Sequence, residues 1–354
     1  MIKKSFLTLL LSTPCFGVQE FEVLRPYSLG QDVLALNGKK TNELAVGLHS
    51  YLVDAEISSA GTGTKNYDRT LVNRLRLSYD LHFNDRFSLR PTFEATHFLN
   101  KIEGANEPRL VRKEGAWLAR PSMIASFSTA NNLDLFVEYT YQHASKTEAE
   151  TKSVSLTATE EAPSIGFGYL SAGFVKKTSK FTGGFSFIKG GEASRVLTKE
   201  NDRDDTVITT DDVIYEATQF AIFAAVPLSS WQIYGEFSAV QAGSGGPRTE
   251  EGATTKEDYI RLLTKLETPE ILPSVKFAST LIYKTLSYAD NRNVSIESIP
   301  QSGLHLDAIS DSGPLGFKAG IVLSHGRDGQ SLEEFNADYK IFSYGLHFSA
   351  LLKM

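Results

Sequence analysis

From Leu75 to Ala95, apolar and polar residues alternate, break at a three-residue turn and then resume the alternation. Leu75, Leu77, Tyr79, Leu81 and Phe83 share one face of the first run, opposite Arg74, Arg76, Ser78, Asp80 and His82. After Asn84-Asp85-Arg86, the second run sets Phe87, Leu89, Pro91, Phe93 and Ala95 against Ser88, Arg90, Thr92, Glu94 and Thr96. Period two is a strand signature, because successive side chains of a strand point to opposite faces. Ordinary globular strands run ~5-6 residues, and these are about twice as long, which suits strands that cross a bilayer.

The same alternation recurs along the chain and predicts fourteen strands, near 43–58, 68–83, 87–99, 115–128, 133–144, 162–175, 180–189, 213–227, 231–241, 257–267, 274–286, 303–310, 315–325 and 337–352. Short connections at 84–86, 129–132, 176–179, 228–230, 268–273 and 311–314 take turns with long ones at 100–114, 145–161, 190–212, 242–256, 287–302 and 326–336. A transmembrane antiparallel up-and-down β-barrel requires this rhythm, with short turns on the periplasmic side and long loops outside. Twelve and sixteen strands remain compatible with the boundaries. An even total, which needs the short strand at 303–310, brings both chain ends to one side.

The face that meets lipid follows from cost. An Arg at mid-bilayer costs roughly 2-4 kcal/mol on such a barrel, so turning over the strand with Arg74 and Arg76 is prohibitive. Aromatic residues gather at the short turns: Phe83, Phe87, Phe127, Phe181, Trp231 and Phe317. Their rings suit a headgroup-level girdle, although strand propensity also favours them. Phe220–Leu228 is the most apolar run; at nine residues it is too short for a membrane helix and reads as a strand buried on both faces.

The beginning of the chain reads as an export signal. Lys3 and Lys4 precede the apolar run Phe6–Leu11, and Cys15-Phe16-Gly17 offers a small-x-small cleavage site. Cleavage after Gly17 removes the one cysteine and two lysines, the only charges in residues 1–17, taking the net charge from -6 to -8. The mature chain then has no disulfide, and its acidity excludes nucleic acid as a partner. Residues 18–42 do not share the strand pattern. They read as a periplasmic tail, a partial plug, or an extra hairpin turning at Asn37-Gly38.

Taken together, these features resemble the bacterial outer-membrane porin-like barrels over residues 43–354. The register kept by Tyr344, Leu346, Phe348, Ala350, Leu352 and Met354 is similar to the terminal strand that the barrel-assembly machinery reads, but the last residue is Met rather than Phe or Trp. The stretch Phe21-Glu22-Val23-Leu24-Arg25-Pro26-Tyr27-Ser28-Leu29-Gly30 resembles the N-terminal segment of long-chain fatty-acid transporter barrels, which are also fourteen-stranded. The resemblance implies a bacterial outer-membrane location, contact with lipid and lipopolysaccharide, and no cofactor.

The inward rows carry the candidate chemistry. On the first strands they contain Arg74, Arg76, Asp80, Arg90, Glu94, Arg120, Asp134 and Glu138. Further along they contain Lys189, Glu236, Arg261, Lys265, Lys276, Lys284 and Lys318. Opposed charges of this kind either line a pore and select small solutes, or pair with one another and fill the interior. The first reading is a porin-like channel for small hydrophilic or amphiphilic solutes. The alternative is a structural or surface-binding barrel acting through its outer loops, and a soluble secreted sheet protein is the remaining class. Seven histidines (His49, His82, His97, His143, His305, His325 and His347) show no metal-ligand spacing, and no nucleophile stands in a triad pattern. The acidic stretch 199–212 lacks the glycine of a helix-loop-helix calcium site and reads as a solvated loop. Pro91 and Pro121 each remove a ladder donor, which predicts either a bulge or misplaced boundaries there.

Overall fold

In lipid every backbone N–H and C=O must be paired internally, and a closed strand ladder meets that demand without leaving an edge. The computed structural model describes residues 28–38, 41–59, 65–104, 111–129, 131–152, 157–190, 193–201, 206–214, 216–245, 254–290, 295–310, 314–332 and 335–354. One helix, α1 (Leu29–Gly38), precedes β1 (Glu43–Ser59), β2 (Lys65–His82), β3 (Phe87–Gly104), β4 (Val111–Ser128), β5 (Leu133–Ala144) and β6 (Thr147–Lys152). Then come β7 (Thr157–Ala162), β8 (Ile165–Lys177), β9 (Thr182–Gly190), β10 (Ala193–Asn201), β11 (Thr206–Ile214) and β12 (Glu216–Leu228). The wall is completed by β13 (Trp231–Gly245), β14 (Thr254–Glu267), β15 (Val275–Asp290), β16 (Ser295–Ser310), β17 (Leu315–Leu332) and β18 (Phe335–Lys353).

These segments make fourteen staves, because β5 runs on into β6, β7 into β8, β9 into β10, and β11 into β12. Both β5 and β6 pair with β4, while β10 carries the ladder onward against β7 and β11. All pairings are antiparallel, and the sheet closes because β1 pairs with β2 on one side and β18 on the other. The fourteen predicted strands all occur. The predicted long loops do not: β6, β7, β10, β11 and the ends of β15, β16, β17 and β18 extend the ladder through much of 145–161, 190–212, 287–302 and 326–336. The acidic stretch 199–212 is likewise largely strand, and its side chains lie outside the described residues. These strands persist without the alternation that would reveal them in the sequence. For the same reason the strand expected at 303–310 is twice as long, spanning Ser295–Ser310.

The outward face has the expected banding. Phe83, Phe127, Phe181, Trp231 and Phe317 stand exposed beside the short turns. On β3 the ten-residue climb from Phe87 to His97 rises ~25 Å at the usual rise and tilt, the height of an apolar band. A polar row then begins: Ser50, Asn73 and His97 follow one another in register across β1, β2 and β3, and His97 stacks on Trp117 at 4.3 Å.

Neither expectation for the prolines holds. The β2–β3 ladder stops at Ser78↔Thr92 and resumes at Leu81↔Leu89 in unchanged register, and the β4–β5 ladder does the same between Ala119↔His143 and Ser122↔Thr140. Pro91 and Pro121 face outward at these gaps. The inward residues skipped by each ladder are joined through side chains instead, Arg90 to Asp80 at 2.5 and 2.7 Å and Arg120 to Gln142 at 2.7 Å. Missing donors interrupt the ladder without adding a residue, so no bulge forms.

Candidate functional site in the barrel lumen

Helix α1 lies against the inner face of the wall. Ser28 is its N-cap, with Oγ accepting from Gln31 N–H at 3.3 Å, and Asp32 sits in the first turn, where the helix dipole favours an acid. Asn37-Gly38 ends the helix rather than turning a hairpin, a role that suits both residues. Val33 and Leu36 are fully buried in an apolar layer built by inward residues of many staves, including Tyr51, Val72, Ile124, Phe136, Phe223, Leu263, Ile282 and Val322. Gly30 makes the close approach possible, since a Cβ there would lie 2.6 Å from both Phe223 and the Tyr234 hydroxyl.

Polar side chains fasten the helix along its length. The Ser28 and Tyr234 hydroxyls both donate to Glu236. In the middle, Asp32 takes Arg76 at 2.6 Å and Arg90 at 3.0 Å, and Arg90 also donates to the Asp32 carbonyl at 2.9 Å. At the far end Ser126 donates to the Asn37 side chain at 2.7 Å, and Lys177 donates to the Asn37 carbonyl at 2.9 Å while meeting Asp134 at 2.8 Å.

The predicted lining residues fall into two groups. Across β2–β5, Asp80 holds Arg90, Arg74 and Arg120 approach Glu94 at 3.6 and 3.9 Å, and Ser171 donates to Glu138 at 3.2 Å. Across β13–β17, Arg261 approaches Glu236 at 3.8 Å, Lys265 and Lys276 share Glu267 at 3.2 and 3.8 Å, and Lys318 meets Asp307 at 2.9 Å. Lys284 is inward and buried. Lys189 is not inward: it shares the exposed face of β9 with Phe187, because the strand register places Ser186, Ile188 and Gly190 inside.

Arg74, Asp80, Arg90, Glu94, Asp134, Glu236 and Arg261 are each no more than 7% exposed. At this level the interior is filled by paired charge, apolar side chains and α1. Four charged members of the site are absent from the predicted lining: Lys177, at a predicted turn, with Glu267, Asp307 and Asp32. Glu267 and Asp307 share the inward parity of their neighbours and were legible on that ground, whereas Asp32 lies in a helix that carries no barrel periodicity. Among the described residues no group of histidine, cysteine and acidic side chains is arranged to hold a metal ion.

No family model matches the sequence, and no curated protein matches it. Solved structures do match the fold. The Pseudomonas putida toluene transporter TodX superposes with a TM-score of 0.59 at 9% identity, covering 90% of this chain and 92% of that one. A Pseudomonas aeruginosa FadL homologue gives 0.61 at 9%, covering 90% and 91%, and the Ralstonia pickettii toluene transporter TbuX gives 0.54 at 8%, covering 89% and 90%. The closed barrel of fourteen staves is thus the fold shared with the FadL-type outer-membrane channels, and that is the fold of this chain.

Proposed function

We propose that this protein is an outer-membrane channel for small apolar or amphiphilic solutes, closed in the present state by α1, and not a general porin for hydrophilic ones. The observation that carries the reading is the apolar layer across the lumen, in which Val33 and Leu36 of α1 join inward residues of the wall. A water-filled porin has no use for such a layer, whereas an apolar solute exchanges one hydrophobic contact for another on entering it. The fold likeness to toluene transporters points the same way. On this reading the pore-lining charges, including Arg76, Arg90, Glu94 and Arg120, hold the closure in place rather than filter ions. The outward band meets outer-membrane lipid and lipopolysaccharide, and the strand ending at Met354 is what the assembly machinery reads.

Two measurements test it together. Cells whose outer membrane carries the protein should take up radiolabelled toluene faster than cells without it, while liposomes containing it should not swell with small sugars. Equal toluene uptake by both cell types would sink the proposal, and rapid sugar swelling would restore the hydrophilic porin.

A further inference from the structure

Six short connections close the wall at the rim where the chain ends. Five of them have two to four residues and turn on polar tips such as Asn84-Asp85-Arg86 and Thr178-Ser179-Lys180. The sixth joins β14 to β15 through seven residues, Thr268–Ser274, and its tip is Ile271-Leu272, set between Pro269-Glu270 and Pro273. Ile271 and Leu272 are 59% and 56% exposed. The loop is nonetheless built. Thr268 N–H donates to the Phe277 carbonyl at 2.9 Å, and Thr268 Oγ1 accepts from Phe277 N–H at 3.0 Å. Ile271 N–H donates to the Val275 carbonyl at 3.1 Å, and Val275 N–H returns a bond to the Leu272 carbonyl at 2.9 Å. Ser274, at φ 61°, turns the chain between them. Since proline has no N–H, the backbone donors of this loop are largely paired internally or absent, as a segment that leaves water requires.

Register fixes which way the tip faces. Leu272 is bridged to Val275, Val275 pairs with Ser310 on β16, and Ser310 pairs with Phe317 on β17. Residues paired across a ladder share a face, so Leu272 continues the outward row that holds the exposed girdle residue Phe317. Leu266 and Phe277, exposed on the outward faces of β14 and β15, flank the loop from above. We propose that the β14–β15 loop is a membrane foot, whose Ile271 and Leu272 enter the periplasmic leaflet of the outer membrane and take phospholipid acyl chains as their partner. The foot extends the lipid-facing surface below the barrel wall, and it rests on the outer-membrane location but not on channel activity. Apolar side chains presented at the headgroup boundary gain by entering the acyl region, and a tip already held in shape loses little freedom in doing so. Glu270, the one charge of the loop, is exposed and stays at the headgroup level. Inside the same hairpin Lys265 and Lys276 share Glu267, so a foot that anchors these two strands also steadies that part of the mouth.

Site-directed fluorescence tests this on the full chain refolded into phosphatidylethanolamine–phosphatidylglycerol vesicles. In a Cys15→Ser background, a nitrobenzoxadiazole label on Leu272→Cys should emit to the blue of the same label on Ser179→Cys, at the tip of a polar turn. Lipids with brominated acyl chains should quench the label at position 272 severalfold more than the one at 179. The gel-mobility shift on heating checks that each variant is folded, and Ile271→Cys supplies the reading if Leu272→Cys does not fold. A label on the Ile271-Leu272 tip that emits and is quenched like the one at 179 overturns the proposal, leaving the tip to water or to a periplasmic protein. A barrel that enters the vesicles and gives that result loses only the foot. One that never enters them loses the outer-membrane reading as well.

Discussion

Arg90 shows how a single side chain ties the wall to the helix. Its guanidinium spans the ladder gap at Pro91 by gripping Asp80, and its remaining nitrogen reaches both the carboxylate and the carbonyl of Asp32. A planar fork of five donors can do this and a lysine ammonium cannot. Arg90→Ala would strand Asp80 in a buried site and leave Asp32 to Arg76 alone, and breaking a buried pair in this way typically costs about 3-5 kcal/mol. Urea unfolding of the refolded barrel should show that loss, while Arg90→Lys recovers only part of it. Asp32→Ala is expected to act on closure more than on the wall: Arg76 and Arg90 lose their hold on α1, and single-channel conductance in planar bilayers should rise above the wild-type level. Unchanged conductance in a folded Asp32→Ala barrel would separate α1 from gating. The Asp80–Arg90 pairing follows from the hairpin that the alternation marks, but the pairings of Asp32 were not legible, because nothing in its spacing says that a helix will carry it into the barrel.

At the scale of elements, β12 meets a different solvent on each face. Phe220, Ile222 and Val226 are exposed to lipid, while Ala221 and Phe223 are buried against the interior. The reading of Phe220–Leu228 as a strand buried on both faces therefore holds, with lipid on one side and Gly30 of α1 on the other. Neighbouring substitutions should fail for unrelated reasons. Ile222→Arg puts a charge into lipid at roughly 2-4 kcal/mol. Phe223→Ala removes a large inward side chain, typically at about 3-5 kcal/mol, and takes away a surface that α1 rests on. Unfolding measurements should show both losses, but only Phe223→Ala should also raise conductance. The alternation made these strands legible wherever lipid acts as a solvent for one face. It falls silent in β6, β7, β10 and β11, which the backbone ladder alone reveals.

For the molecule as a whole, fourteen staves make a lumen intermediate between the small barrels that side chains fill and the wide ones that hold a water column. This chain resolves the ambiguity with an inserted helix. The unboiled protein should accordingly run as a compact species on a denaturing gel and shift on heating; extraction from membranes by high salt with no such shift would contradict the barrel. Both ends of the wall meet at the short-turn rim, where Met354 N–H donates to the Asn42 carbonyl at 2.9 Å and β1 completes the circle against β18. Only residues 39–42 separate the end of α1 from the start of β1. Four residues reach at most ~14 Å, so α1 is a stopper on a short leash. It can tip or draw back toward the periplasm, but it cannot be carried out through the extracellular mouth. If the proposed channel role holds, a solute that enters from outside passes beside a helix that stays behind rather than one that is expelled.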